Sequence, residues 1–230
     1  MKKKWLLALI LSMSSLSAGC SFWDGIRGCP DGQIDWADVL MMNDIKYSSG
    51  MIHNEDAPVP ETGDSLGNVS YMLDGHACSS HKLKNGEASY VSVGTQVYEV
   101  EGYKPEFRVF ADGRVFQVVN NPNAETLGDL ADIEGKVTKI SIRSDEDDSF
   151  LGEMDPEQTK EFLKEYLSLP YEGDTDPENE SNRHNRVFIY FQLEDGSTFH
   201  TIYLLDENII GYEAYGNEKM KRIIESVVKE

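Results

Sequence analysis

The sequence predicts a β-rich α+β fold built from antiparallel hairpins, with one helix before and one helix after the C-terminal hairpin. Three observations predict it. Two Asp-Gly pairs, Asp112-Gly113 and Asp195-Gly196, each lie between runs rich in β-branched and aromatic residues, the pattern of strands joined by tight turns. Helical periodicity occurs twice, within residues 156–167 and 217–228, and both stretches fall in the second half. The β runs are short and closely connected, which favours antiparallel pairing over crossovers.

Taken in order, Val39 to Met42 and Ile45 to Tyr47 read as paired strands about Asn43-Asp44, although Asp35 offers an N-cap for a helix over 36–42 instead. Residues 48–67 carry Gly50, Pro58, Pro60 and Gly63 without periodicity and read as a long loop; such loops are often functional. Val69 to Leu73 is a short strand, and Asn85-Gly86 a turn. Tyr90 to Val93 and Val97 to Val100 then form two runs separated by Gly94-Thr95. Around Asp112-Gly113, residues 107–111 and 115–119 make a hairpin, because a type I′ turn needs φ > 0 at both central positions. Tyr98, Tyr103, Phe107, Phe110 and Phe116 recur through this half as core residues would.

Residues 120–132 are turn-rich and divide the chain into a β-rich half, 34–122, and an α+β half, 123–230. Lys136 to Arg143 suits a strand. Asp155, Pro156 and Gln158 supply an N-cap acceptor, a proline at the first helical position and a capping-box partner. Phe162, Leu163, Tyr166 and Leu167 share one face of the helix that follows, and Pro170 stops it. Residues 171–185 form an acidic loop whose alternating Asp174, Asp176, Glu178 and Glu180 lack the Gly and Glu that a calcium loop requires at its sixth and twelfth places. Residues 187–193 and 197–205 form the second hairpin about Asp195-Gly196. Asn217 caps a last helix whose stripe of Met220, Ile223, Ile224, Val227 and Val228 should pack on that hairpin.

The N-terminus has a different character. Lys2-Lys3-Lys4 precede an apolar stretch of about twelve residues and a small-residue site, the three parts of a secretory signal over residues 1–19. As a helix this stretch rises about 18 Å, too short for a hydrocarbon core of about 30 Å. Ser17-Ala18-Gly19-Cys20 resembles the lipobox of bacterial lipoproteins, with Ser17 where Leu is usual. The resemblance implies a diacylglyceryl thioether on Cys20, cleavage before it, and a palmitate-type acylated anchor in the cell membrane; two or three acyl chains exceed the single-chain threshold for stable anchoring. Residues 20–33, with Gly25, Gly28, Pro30 and Gly32, then read as an extracytoplasmic tether. Gly94 to Tyr103 and the Asp195-Gly196 hairpin resemble small surface lipoproteins of Gram-positive bacteria, a resemblance that implies no particular activity.

Cleavage before Cys20 would leave 211 residues and take the formal charge from −20 to −23. So acidic a chain would be repelled by a nucleic-acid backbone or an anionic lipid face. With Cys20 lipidated, Cys29 and Cys78 remain for a disulfide, which an oxidising compartment allows. His76, Cys78 and His81 form the alternative grouping, a loop that offers imidazole and thiolate ligands to zinc or copper with Cys29 as a fourth; paired metal-ligand spacings are absent. The chain contains no G-x-S-x-G, H-E-x-x-H or G-x-G-x-x-G. The expectation is therefore a non-enzymatic binding or interaction module of the envelope with no cofactor, held to the membrane by its lipid and partnered by an envelope or surface protein. The alternatives are capture of a metal ion or small solute, and an envelope hydrolase.

Overall fold

A computed structural model describes residues 35–50, 52–53, 59–173, 185–211 and 214–228. The expected signal peptide, Cys20, the expected tether, Cys29 and the acidic residues 174–184 lie outside the described residues.

Two sheets organise the fold. The first has the order β4-β7-β8-β9-β2-β1-β6-β5, where β1 is Val39–Met42, β2 Ile45–Ser48, β4 Thr62–Asn68, β5 Tyr71–Met72, β6 Glu87–Ala88, β7 Gln96–Val100, β8 Arg108–Ala111 and β9 Arg114–Asn120. Its ladders are antiparallel except that between β5 and β6. The second has the order β11-β10-β12-β13-β14-β15, from β10 (Val137–Ser144), β11 (Phe150–Glu153), β12 (Arg186–Leu193), β13 (Thr198–Leu204), β14 (Ile209–Ile210) and β15 (Ala214–Tyr215). A short strand from the first half, β3 (Ile52–His53), adds to β13. The architecture is mixed α+β dominated by antiparallel strands, as the turn pattern predicts.

Among the described residues three helices accompany the sheets: α1 (Leu127–Leu130), α2 (Pro156–Leu167) and α3 (Glu218–Val228). The α2 start forms as its sequence dictates. Asp155 accepts from the amides of Glu157 and Gln158, and the Gln158 side chain accepts from the Asp155 amide. Asn217 caps α3 through the amides of Lys219 and Met220. This last helix packs mainly on α2, β10 and β11 rather than on the β12–β13 hairpin, because Gly152 on β11 lets the end of α3 come against the strand. A Cβ at Gly152 would stand 2.6 Å from the Val227 carbonyl oxygen.

Both sheets contribute to one hydrophobic core. An aromatic chain crosses it. Phe107 of the first half meets Phe199 edge-on at 5.9 Å, Phe199 stacks on Phe191 at 4.8 Å, and Phe191 meets Tyr166 of α2 at 5.3 Å.

Some local expectations change. Tyr90 to Val93 is not a strand; the Tyr90 hydroxyl accepts from the Trp36 amide and donates to the Trp36 carbonyl, which ties the segment to the chain start. Part of the expected long loop is β4, an edge strand whose polar residues follow no alternation and whose pairing with β7 is broken by register shifts. Helix α1 lies in the turn-rich divider, started by a Thr126–Asp129 capping box. The two Asp-Gly turns also differ. Asp112 and Gly113 both have positive φ, whereas at the second turn only Gly196 does, because Asp195 instead accepts from the Ser197 amide and hydroxyl.

Candidate functional site

The His76, Cys78, His81 grouping does not come together as a metal centre. Cys78 is disulfide-bonded, so its sulfur is no thiolate ligand; its partner is outside the described residues. The His81 Nε2 bonds to Glu87 Oε2 at 2.7 Å, and His76 Nδ1 bonds to the Asp74 carbonyl at 2.7 Å. Tyr71 lies between them, with ring centroids 6.2 Å from His76 and 5.6 Å from His81. These contacts fold the 73–87 loop onto the sheet edge. Among the described residues no three His, Cys, Asp or Glu side chains group so as to hold a metal ion, and no helix is long and apolar enough to cross a membrane.

A second cluster marks the seam between the halves. Arg108 is 1% exposed. Its guanidinium donates to Gln117 Oε1 and to Ser197 Oγ, and stands 4.9 Å from the centroids of both Tyr103 and Phe107. Lys136 covers the Tyr103 ring at 4.7 Å. Burial pushes the Arg108 pKa down, while Tyr103 and Asp195 favour its charge. Burial also raises the Asp195 carboxyl, but bonds from Ser197 and Tyr103 outweigh it and leave the pKa below the ordinary carboxylate range. Nearly every donor and acceptor here faces another, so the cluster works as a clamp.

The open concavity is a groove of about 950 Å³ between α2 on one side and α1, the 131–136 loop and the start of β10 on the other. That volume is in the range of ligand-binding clefts. The floor is apolar. Phe162 and Tyr166 of α2 are buried in the core, while Leu163 and Leu167, turned about 100° away by the helical repeat, line the groove with Met154 and Val137.

The charges around it are unevenly committed. Asp129 accepts from the Glu125 and Thr126 amides and the Thr126 hydroxyl, bonds that hold its pKa below the ordinary value. Asp132 accepts from the Lys104 amide and pairs with Lys136 at 2.5 Å. Glu153 pairs with Lys139 at 2.6 Å, and Asp155 is the α2 cap. Lys160 and Lys164, one turn apart on the α2 wall, are exposed and have no ion pair among the described residues. The groove thus sets Lys160 and Lys164 on the α2 wall against Asp129, Asp132 and the exposed Glu134 on the other side, a mixed rim over an apolar floor.

The strand part of the opposite wall is the start of β10, where the pairing with β12 shifts register between Val137 and Lys139. On β10, residues 141–143 pair with β11 on one side and β12 on the other, whereas Val137 and Lys139 are paired with β12 alone. The Met154 amide donates to the Ile140 carbonyl at 3.0 Å, and there the chain leaves the ladder for α2.

The sequence signal for this groove was the width of the α2 apolar stripe. Four residues on adjoining faces, Phe162, Leu163, Tyr166 and Leu167, exceed what one core contact covers, and Lys160 and Lys164 flank the outer pair.

No known protein family, no curated protein and no solved structure matches the chain.

Proposed function

We propose that the protein is a lipid-anchored lipoprotein on the extracytoplasmic face of the cell membrane, acting as a non-enzymatic binding module of the envelope through the α2–β10 groove. The observation that carries the binding role is the groove itself: an apolar floor of Met154, Leu163 and Leu167 beside Lys160 and Lys164, which make no ion pair among the described residues. The anchor rests on Lys2-Lys3-Lys4, the short apolar stretch and Ser17-Ala18-Gly19-Cys20. A disulfide at Cys78 is in keeping with a compartment outside the reducing cytosol. The marked acidity disfavours nucleic acid as partner.

Two measurements test the reading. In fractionated cells the wild-type chain is expected with the membranes and Cys20→Ala in the medium; a membrane-bound Cys20→Ala chain would refute the anchor. A photo-cross-linking residue at position 164 is expected to form an adduct in intact cells, and one at position 112, in the Asp112-Gly113 turn, to form none. Equal yields at both positions, or none at 164, would refute the groove as binding site.

A further inference from the structure

The polar groups that line the groove are largely spent on the chain itself, and we infer that the site receives the hydrocarbon chain of a lipid whose head group stays in water at the rim. This inference rests on the reading of the groove as the binding site and names what occupies it.

Hydrogen bonding carries the first part. Every hydroxyl on the walls has a partner within the protein: Thr126 donates to Asp129, Thr138 to the Gln192 carbonyl, Thr159 to the Met154 carbonyl and Ser168 to the Glu165 carbonyl. Among the carboxylates, Asp129 and Asp155 accept from backbone amides, Asp132 accepts from the Lys104 amide and from Lys136, and Glu153 pairs with Lys139. Lys104, Lys160, Lys164 and Glu134 make no ion pair among the described residues, and all four are exposed. A sugar or an extended peptide laid on the floor would bury hydroxyls or amides without partners, which is costly. A hydrocarbon chain has none to bury.

Charge and shape carry the second part. Five carboxylates and four lysines line the groove, so the rim is close to neutral and selects no net charge. An uncharged occupant is the complement of such a rim. Ala131, Val137, Met154, Leu163 and Leu167 supply the apolar surface, and the methylene stems of Lys160 and Lys164 extend it while their ammonium groups stay in water. On α2 the lining runs from Pro156 to Ser168, about 18 Å along the axis. An extended hydrocarbon advances about 1.3 Å per carbon, given C–C bonds of about 1.5 Å, so this length takes about fourteen carbons. The acyl chains that the lipobox implies for Cys20 are needed in the bilayer for stable anchoring, and the occupant is therefore a separate lipid.

The test titrates the chain from residue 20 onward, carrying Cys20→Ser, with n-alkyl maltosides from hexyl to hexadecyl, each below its micelle concentration. Decanoate and decyltrimethylammonium serve as charged counterparts of decyl maltoside, and ¹⁵N amide shifts report both site and affinity. The expected result is shifts at residues 163–167 and 137, with affinity that rises about two- to fourfold per added methylene and levels off at about fourteen carbons. Both charged decyl probes should bind within about tenfold of decyl maltoside, and Lys160→Gln/Lys164→Gln should change its affinity by less than about tenfold. Both lysines are exposed, so that variant keeps its fold. Affinity that ignores chain length, or a charge effect larger than about tenfold in either comparison, would overturn the inference. Groove shifts with an amphipathic helical peptide and none with any maltoside would overturn the lipid while leaving the groove a binding site. In intact cells the adduct at position 164 should carry a separate lipid, and a link to the chain's own Cys20 acyl groups instead would overturn that assignment. No groove shifts with any probe, joined to no adduct at position 164, would overturn both.

Discussion

Arg108 Nη1 donates to Ser197 Oγ at 2.7 Å, joining β8 of the first sheet to the turn between β12 and β13 of the second. The two residues are 89 positions apart, and both are buried. A guanidinium with so little exposure is tolerable only when its donors are met. Gln117 and Ser197 meet them, aromatic faces cover the remainder, and Asp195 stands 3.8 Å away.

Ser197→Ala removes one acceptor and leaves a buried charged donor unmet, so it should cost roughly 1–3 kcal/mol. Urea unfolding checks this. Because Gln117 acts on the same guanidinium, Ser197→Ala and Gln117→Ala should be non-additive in a double-mutant cycle by more than about 0.5 kcal/mol. Strict additivity would show that the clamp does not act as a unit.

Stability should form a plateau against pH with a separate cause at each end. Asp129, Asp132 and Asp195 have folded pKa values below their ordinary ones. Their stabilising contributions are therefore complete above the unfolded carboxyl pKa of about 4 and fade as pH falls through the folded values. Tyr47, Tyr103 and Tyr203 are raised, chiefly by burial, and Tyr190 is raised to about 12 by burial and by Asp148. A raised acid contributes fully below its unfolded pKa, about 10 for tyrosine, and the contribution is lost above it. Thermal melts from pH 2 to 12 should fall off below about 4 and above about 10, and Asp195→Asn should flatten the acid limb.

Turn chemistry and capping were the most legible parts of this fold because they are local. Asn43-Asp44 and Asp112-Gly113 take positive φ, and Asp155-Pro156 starts α2, from interactions within four residues. The elements that sequence did not reveal depend on distant partners. β4 is polar and exists because β7 offers it an edge, while Tyr90 to Val93, a good strand by composition, is held by Trp36. The groove lay deeper still. Lys160 and Lys164 were visible as helix residues, but that they line a groove with the start of β10 follows only once α2 has packed against the sheet. The engagement of His81 was hidden for a similar reason, since Glu87, which bonds to it, carries no sign in sequence of being 8% exposed.

Gly152→Ala should loosen the C-terminal helix. The added Cβ would lie 2.6 Å from the Val227 carbonyl oxygen and 2.7 Å from its Cγ1, so α3 or β11 must shift. Overpacking of this kind costs about 1–3 kcal/mol. Hydrogen exchange should show faster opening in α3 than in the β12–β13 hairpin, and a variant with wild-type stability and protection would mean that the helix does not rely on that close approach.

Reduction should loosen the chain start. Cys78 is disulfide-bonded, and a lipid on Cys20, as proposed, would leave Cys29 as the partner. A bridge between Cys29 and Cys78 would close a loop of about 50 residues and, by constraining the unfolded chain, contribute on the order of 4 kcal/mol. Peptide mapping of the unreduced Cys20→Ser chain should recover Cys29 joined to Cys78, and urea midpoints should fall on adding reductant. Because His81 is held separately by Glu87, that loop should keep part of its protection against hydrogen exchange after reduction. Two free thiols in the exported chain would exclude the bridge, and with it the argument that this end of the protein is fixed for an oxidising compartment.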